Sequence, residues 1–409
     1  MKKVIFIFYL LIIVAVFLYS FTQIDLSLTF SRILFLRNLV KSFQYIGYFN
    51  RPLSTYLYAS ILGALFLFYG IFLFLAKKNR LEPKFFWQLL FITTILLTFS
   101  YNAFSYDIFN YMFDARIITH YHQNPYFHKA LDYPGDPMLS FMHWTQRMYP
   151  YGPFWLILTV PLSFLGLQFF LPTFFLFKVL ASASFLGSVY YIGKISRKIP
   201  LSPSSHLRPH PDPLLKGEGK YPGVFHQIFF AFNPLVLIES VVSAHLDIVM
   251  IFFCLWAFYL LLEKRYVVSW FWFLFSVGIK FATGFLAPVF LFITAVQLKK
   301  RRVAWQPVLL AAVICLILTV VVASVRTTFQ AWYWLLPLSF AAFLSERYFI
   351  VFPSFIITLF AMFTYIPFLY TGNWNPPIPL ILSWIYIISY ILAGAGTVSL
   401  FFSKRISRK

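Results

Sequence analysis

Acidic side chains are scarce in this chain, 12 in 409 residues, so the surroundings of each can be read individually. Asp107 stands out. It lies in SYNAFSYDIFNYMFDARIITHYHQNPY, directly after an apolar run, which puts its carboxylate at a membrane interface. Tyr111 follows it by four residues and Asp114 by seven, so on a helix all three share one face. A carboxylate that is partly desolvated yet open to substrate can serve as a general base. The same position also suits an N-cap that opens an interfacial helix, and spacing leaves both readings open.

A second polar group occupies NPLVLIESVVSAHLDIVM. Asn233–Pro234 interrupts a helical run, and Glu239, His245 and Asp247 gather at the turn that follows. His245 and Asp247 resemble a metal pair, but two residues apart they do not share a helix face. No third ligand stands at a recognisable spacing. Substrate binding or mutual hydrogen bonding across the turn fits better. No cofactor is expected, a divalent metal being compatible with the sequence but not called for by it.

Arg116, Lys280 and Arg326 are the cations placed on the same side. Lys280 interrupts the apolar stretch FSVGIKFATGFLAP, where it needs either an anionic ligand or a stem long enough to snorkel to the interface. In TTFQAWYWLLPLS, Trp332, Tyr333 and Trp334 read first as an interfacial aromatic belt. Trp332 could also stack on a sugar ring.

The elements that must position these groups follow from composition. Hydrophobic residues make up 61% of the chain and charged residues 11%, about half the charge of a soluble domain. Apolar runs of about 20 residues recur, the length that crosses a bilayer. The fold class is an all-α polytopic membrane protein of about 12 transmembrane helices, with a large extracytoplasmic loop that contains interfacial helices. The spans are placed at 4–21, 55–76, 85–103, 172–193, 224–239, 246–262, 267–281, 284–298, 303–325, 332–345, 348–370 and 379–402. The first is read as a signal anchor.

The formal charge of +21 does not indicate nucleic acid. Lys and Arg cluster at the ends of apolar runs, as at Lys77–Arg80, Lys299–Arg302 and Lys404–Lys409, and most of them fall on the cytoplasmic side of this topology. Residues 153–168 are apolar, but a crossing there would turn the basic ends at Lys194, Arg197 and Lys198 outward. They are read as an interfacial helix within an external loop at 104–171.

Three regions result: N-terminal transmembrane helices at 1–84, a catalytic membrane region at 85–402 and a basic cytoplasmic tail at 403–409. The Pro-, Gly- and Ser-rich stretch within 199–223 is expected to be a disordered cytoplasmic linker. Cys254 and Cys315 lie in apolar runs and form no disulfide framework.

Taken in order, YDIFNYMFDARI, NPY (124–126), YPYGPFW (149–155), NPLVLIE with HLD, IKFATGFLAP and QAWYWLLP resemble the GT-C superfamily of membrane-embedded glycosyltransferases. The chain is most similar to bacterial mannosyltransferases that use polyprenyl-phosphate mannose, over about residues 85 to 337. The resemblance implies a GT-C-like fold, a hexosyltransferase of the cell envelope and a site facing the extracytoplasmic side. It also implies a polyprenyl-phosphate-linked sugar donor, with mannose as the expected sugar, and a glycan or glycolipid acceptor. Membrane lipids are the surrounding partner.

In such enzymes an acidic residue after an early span is the proposed base, which carries over to Asp107. The family's second polar cluster carries over to Glu239, His245 and Asp247. Leu246 stands where related sequences often have Asn, and the catalytic loop follows the third span here instead of the first. The absence of a Gly-rich phosphate loop argues against a nucleotide-sugar donor.

The alternative from another class is a polytopic transporter or flippase for a lipid-linked or anionic substrate. That reading calls for paired interrupted helices and an internal repeat, and no convincing repeat is present. A lipid-linked oligosaccharide ligase, a protein O-glycosyltransferase and a scaffold with an inactive site are further alternatives.

Overall fold

A computed structural model describes residues 2–28, 33–199, 221 and 223–406. The linker expected at 199–223 lies almost entirely outside these residues, as does the end of the basic tail at 403–409. The described chain is helical: α1 Lys2–Ser20, α2 Leu34–Gln44, α3 Arg51–Lys77, α4 Pro83–Thr98, α5 Asp107–Thr119, α6 Pro153–Leu165, α7 Phe170–Lys198, α8 Val224–Ala231 and α9 Pro234–Leu237. It continues with α10 Asp247–Leu262, α11 Tyr266–Ile279, α12 Ala287–Leu298, α13 Trp305–Arg326, α14 Leu335–Ala341, α15 Tyr348–Phe363, α16 Tyr365–Thr371 and α17 Ile378–Ile406. Among the described residues there is no strand, only an isolated antiparallel bridge between Lys129 and Met148.

Among the described residues, seven helices are long and apolar enough to cross a membrane: Val4–Gln23, Arg51–Lys77, Phe170–Lys198, Phe281–Leu298, Trp305–Arg326, Tyr348–Thr371 and Ile378–Phe401. An eighth span results if Val224–Ala231 and Pro234–Val242, bent by 64°, are taken together. The chain is therefore a multi-pass membrane protein. Five further apolar helices, at Pro83–Thr98, Pro153–Leu165, Asp247–Leu262, Tyr266–Ile279 and Ala331–Leu344, are shorter. All five fall short of the hydrocarbon core of about 30 Å, reaching about 20–24 Å at 1.5 Å per residue. Large apolar side chains such as Leu67, Ile314 and Leu380 stand exposed along α3, α13 and α17, a surface that lipid can cover and water cannot.

The segment from His226 to Met250 is buried at every position. It forms the centre of the bundle, and α10 packs between α7 and α11. A helix that is apolar all round belongs in such a place. The bend within it has a local cause. Pro234 disfavours helical dihedrals at Asn233, which is extended at φ −63°, ψ 122°. The Asn233 side chain then accepts a hydrogen bond from the Leu235 amide and restarts the helix. A π-helical turn, Ile238–Val242, follows, and Ala244 takes a left-handed conformation with φ of 55°. Irregular backbone of this kind is tolerated at membrane depth when protein surrounds it.

Candidate active site

Asp107 opens α5, and Tyr106 occupies the N-cap position without a side-chain capping bond. The carboxylate does not cap the helix. Its Oδ2 accepts from the Tyr111 hydroxyl at 3.5 Å and lies 3.5 Å from His245 Nδ1. On the other edge of the imidazole, Nε2 lies 3.2 Å from Glu239 Oε2. Neither ring nitrogen has hydrogen-bond geometry to a partner among the described residues, so these are ion-pair contacts. Trp332 stacks on the ring with centroids 4.0 Å apart and planes 19° apart. The Tyr365 hydroxyl donates to Glu239 Oε1 at 2.7 Å.

The result is a carboxylate–imidazole–carboxylate row. Two of its members, His245 and Glu239, have no exposed side-chain surface, whereas Asp107 keeps 18%. Burial alone would lower the His245 pKa, but the flanking carboxylates outweigh it and push it up to about 9. Burial alone would raise Asp107, but His245, with Lys280 and Arg147 further off, holds its carboxyl below the usual range. Asp107 is thus an anion at neutral pH, steadied by an imidazolium.

Asp247 does not join this row. Lys280 Nζ donates to both of its carboxylate oxygens, at 2.8 and 3.1 Å, and stands over the Tyr333 ring at 5.5 Å. The partner that the apolar stretch around Lys280 called for is this side chain. Among the described residues no group of three or more His, Cys, Asp and Glu side chains is arranged to hold a metal ion.

Arg116 lies nine residues beyond Asp107, about half a turn round the helix. Its Nε donates to Asp136 Oδ2 at 2.7 Å, so it anchors the following loop instead of meeting Asp107. Arg326 ends α13 and is exposed, with no described contact to the other candidates.

Asp114 shares the Asp107 face of α5, and both border a shallow surface groove. Asn110 completes that wall. Trp144, Arg147 and Tyr151, from the loop before α6, form the other. Burial pushes the Asp114 carboxyl up to about 8, with Arg147 pulling the other way. At neutral pH Asp114 therefore holds a proton and can donate as well as accept.

The loop wall is fixed at several points. Tyr149 N donates to Pro125 O, the Tyr126 hydroxyl to Tyr151 O and Gly152 N to Ile279 O. A Cβ on Gly152 would meet the Gly278 carbonyl, and one on Gly278 would meet the Phe154 ring. Two glycines thus let YPYG and the segment leading to Lys280 approach closely.

Sequence reasoning did not single out Asn110, Trp144, Arg147, Tyr151 or Tyr365. Asn110 was within reach of it, lying on the Asp107 face at i+3. It also left out Lys178. That wholly buried side chain in α7 donates to Val241 O and Val242 O at 2.5 and 2.7 Å, and to Ser100 Oγ at 3.3 Å.

Fold and site together define a multi-pass membrane protein with a polar centre that opens on a groove. The chain belongs to the family described as alpha-(1->6)-mannopyranosyltransferase, N-terminal domain, which matches residues 32–208 and 222–297, more than half of its length. It is thereby a member of a glycosyltransferase family whose reaction is mannosyl transfer. The matched stretches contain Asp107, Glu239, His245, Asp247 and Lys280, while Trp332 and Tyr365 lie beyond them. No curated protein and no solved structure matches the chain.

Proposed function

We propose that the protein transfers a mannosyl group from a polyprenyl-phosphate donor to an extracytoplasmic glycan or glycolipid acceptor. The family description suggests an α-(1→6) linkage. Asp107 is the general base of a single inverting displacement. It takes the proton of an acceptor hydroxyl, whose oxygen bonds to the anomeric carbon. The bond from that carbon to the phosphate oxygen breaks, and its electron pair leaves with the lipid phosphate.

The observation that carries this reading is the setting of Asp107: a carboxylate still reached from a groove, yet held ionised by a buried imidazole. His245, Glu239 and Trp332 hold the base in place. Lys280, with Asp247 as its partner, is a cation available to the departing phosphate. Tyr111 and Asp114 bind substrate, and Arg326 stands as a further cation for the lipid head group.

The proposed topology has twelve crossings: the seven long helices, the bent pair, and the shorter apolar helices other than Pro153–Leu165. The clustering of Lys and Arg at the opposite ends of these helices supports a site on the extracytoplasmic side. A transporter would call for interrupted helices in pairs, and one bent pair is found among the described residues.

The test is mannosyl transfer by the full-length chain in proteoliposomes, with radiolabelled polyprenyl-phosphate mannose and an extract of envelope glycans. Asp107→Asn is expected to lower turnover by about 10²–10⁴-fold at unchanged expression and thermal stability. Full activity in that variant overturns the base assignment. Movement of the lipid across the vesicle without a new glycosidic bond overturns the transferase reading.

A further inference from the structure

We propose that the groove between α5 and the loop before α6 is the acceptor-sugar subsite, shaped for a neutral, hydroxyl-rich pyranose and not for the donor's phosphate. The inference rests on Asp107 as the base, because a base must touch the attacking hydroxyl and Asp107 borders this groove.

Charge is the first argument. Asp107 and Asp114 line the groove with Arg147 as the cation of its lining, and with Asp114 protonated at neutral pH the lining is close to electroneutral, as suits an uncharged ligand. A phosphate entering it would meet the Asp107 carboxylate with no surplus positive charge in the lining. Lys280, outside the groove lining, is the better place for that group.

Hydrogen-bonding capacity is the second. Asn110 Oδ1 is buried and has no hydrogen-bond partner among the described residues, although its residue lines the groove. A buried amide oxygen in that condition calls for a donor from a ligand or from water. Asn110 and Asp114 sit four residues apart on one helix face, one turn of spacing, which suits neighbouring hydroxyls on a sugar ring.

Apolar surface is the third. Pyranoses bring C–H faces as well as hydroxyls, and Trp144 and Tyr151 supply aromatic faces opposite the polar wall. Trp144 is 48% exposed and held at a φ of 59°, a left-handed conformation that a bulky residue adopts only under constraint. Its ring also receives the Arg147 guanidinium at 5.6 Å. Exposed large aromatics in strained positions beside a polar groove are common features of binding sites.

The experiment varies donor and acceptor independently, using polyprenyl-phosphate mannose and octyl α-mannopyranoside with the full-length chain. Asp114→Asn, Asn110→Ala and Trp144→Ala are each expected to raise the acceptor KM about tenfold or more while the donor KM stays within about twofold. A donor KM that rises by as much as the acceptor KM overturns the assignment, as does an acceptor KM that stays constant in all three.

Binding of the mannoside alone, read by saturation-transfer NMR on the detergent-solubilised chain, separates this inference from the broader one. Loss of wild-type binding in Trp144→Phe and Asn110→Ala, at unchanged melting temperature, supports the subsite even if transfer itself fails. Undetectable wild-type binding together with active transfer and unmoved acceptor KM values rejects the subsite and leaves Asp107 as the base untouched.

Discussion

The side-chain nitrogen of Lys178, Nζ, donates a 2.5 Å hydrogen bond to the carbonyl oxygen of Val241 from a wholly buried position. With its bonds to Val242 O and Ser100 Oγ, this side chain ties the π-helical turn that carries Glu239 to the chain that leads into α5. Asp107 and His245 face each other across that tie. Their separation of 3.5 Å depends on both stretches keeping their places.

Lys178→Met keeps the volume and removes the donors. Two buried carbonyls then lose a partner, at about 1–3 kcal/mol each. The expected outcome is a clear fall in melting temperature, with residual activity lost as well. An unchanged melting temperature would show that Lys178 does not hold the turn.

The site also predicts a pH dependence. His245 binds its proton up to about pH 9 in the folded chain, against about 6.5 unfolded. The folded state therefore holds more protons over that interval, and stability falls as pH rises through it. The contribution is fully present below about pH 6.5 and lost above 9. Asp114, raised to about 8, acts in the same direction at lower pH. Asp107, whose carboxyl is held low, acts the opposite way and weakens the fold only in acid. Melting temperatures measured from pH 6.5 to 9 should decline, and His245→Gln should flatten the curve. Identical curves for the two proteins would refute the imidazolium.

Gly152→Ala tests the close approach of the two site segments. The added methyl meets the Gly278 carbonyl, which is backbone and cannot swing aside. Overpacking of this kind costs about 1–3 kcal/mol, and the displacement is expected to pull Tyr151 away from Tyr111, whose rings now lie 5.5 Å apart. Limited proteolysis of the loop before α6 should speed up in the variant. Unchanged cleavage would mean that the contact is dispensable.

Arg116→Ala is expected to separate stability from chemistry. Its Asp136 partner has no exposed side-chain surface, although the Tyr121 hydroxyl and Met138 amide still donate to it. A loss on the order of 2–3 kcal/mol follows from leaving that carboxylate without its cation. Donor and acceptor KM values in the folded fraction should stay as in the parent. A selective change in either would give Arg116 a direct part in substrate binding.

Several features were legible in the sequence because they depend on composition and local spacing. Apolar runs report what must avoid water, whatever packs against them, so the helical multi-pass architecture follows directly. Asp107, Tyr111 and Asp114 share a face because helix geometry is fixed by the backbone. Asn233–Pro234 announces a break because a proline restricts its predecessor.

The pairings could not be read this way. Glu239, His245 and Asp247 are neighbours in sequence, yet tertiary packing sends His245 to Asp107 and Asp247 to Lys280. Arg116, two residues from Asp114, turns away to Asp136. Trp332 and Tyr365 reach the site from segments far along the chain. The sequence by itself determined which groups are scarce enough to matter and which local faces present them. The tertiary structure decided their partners, because a charge deprived of water takes whichever counter-charge the packing of distant helices delivers.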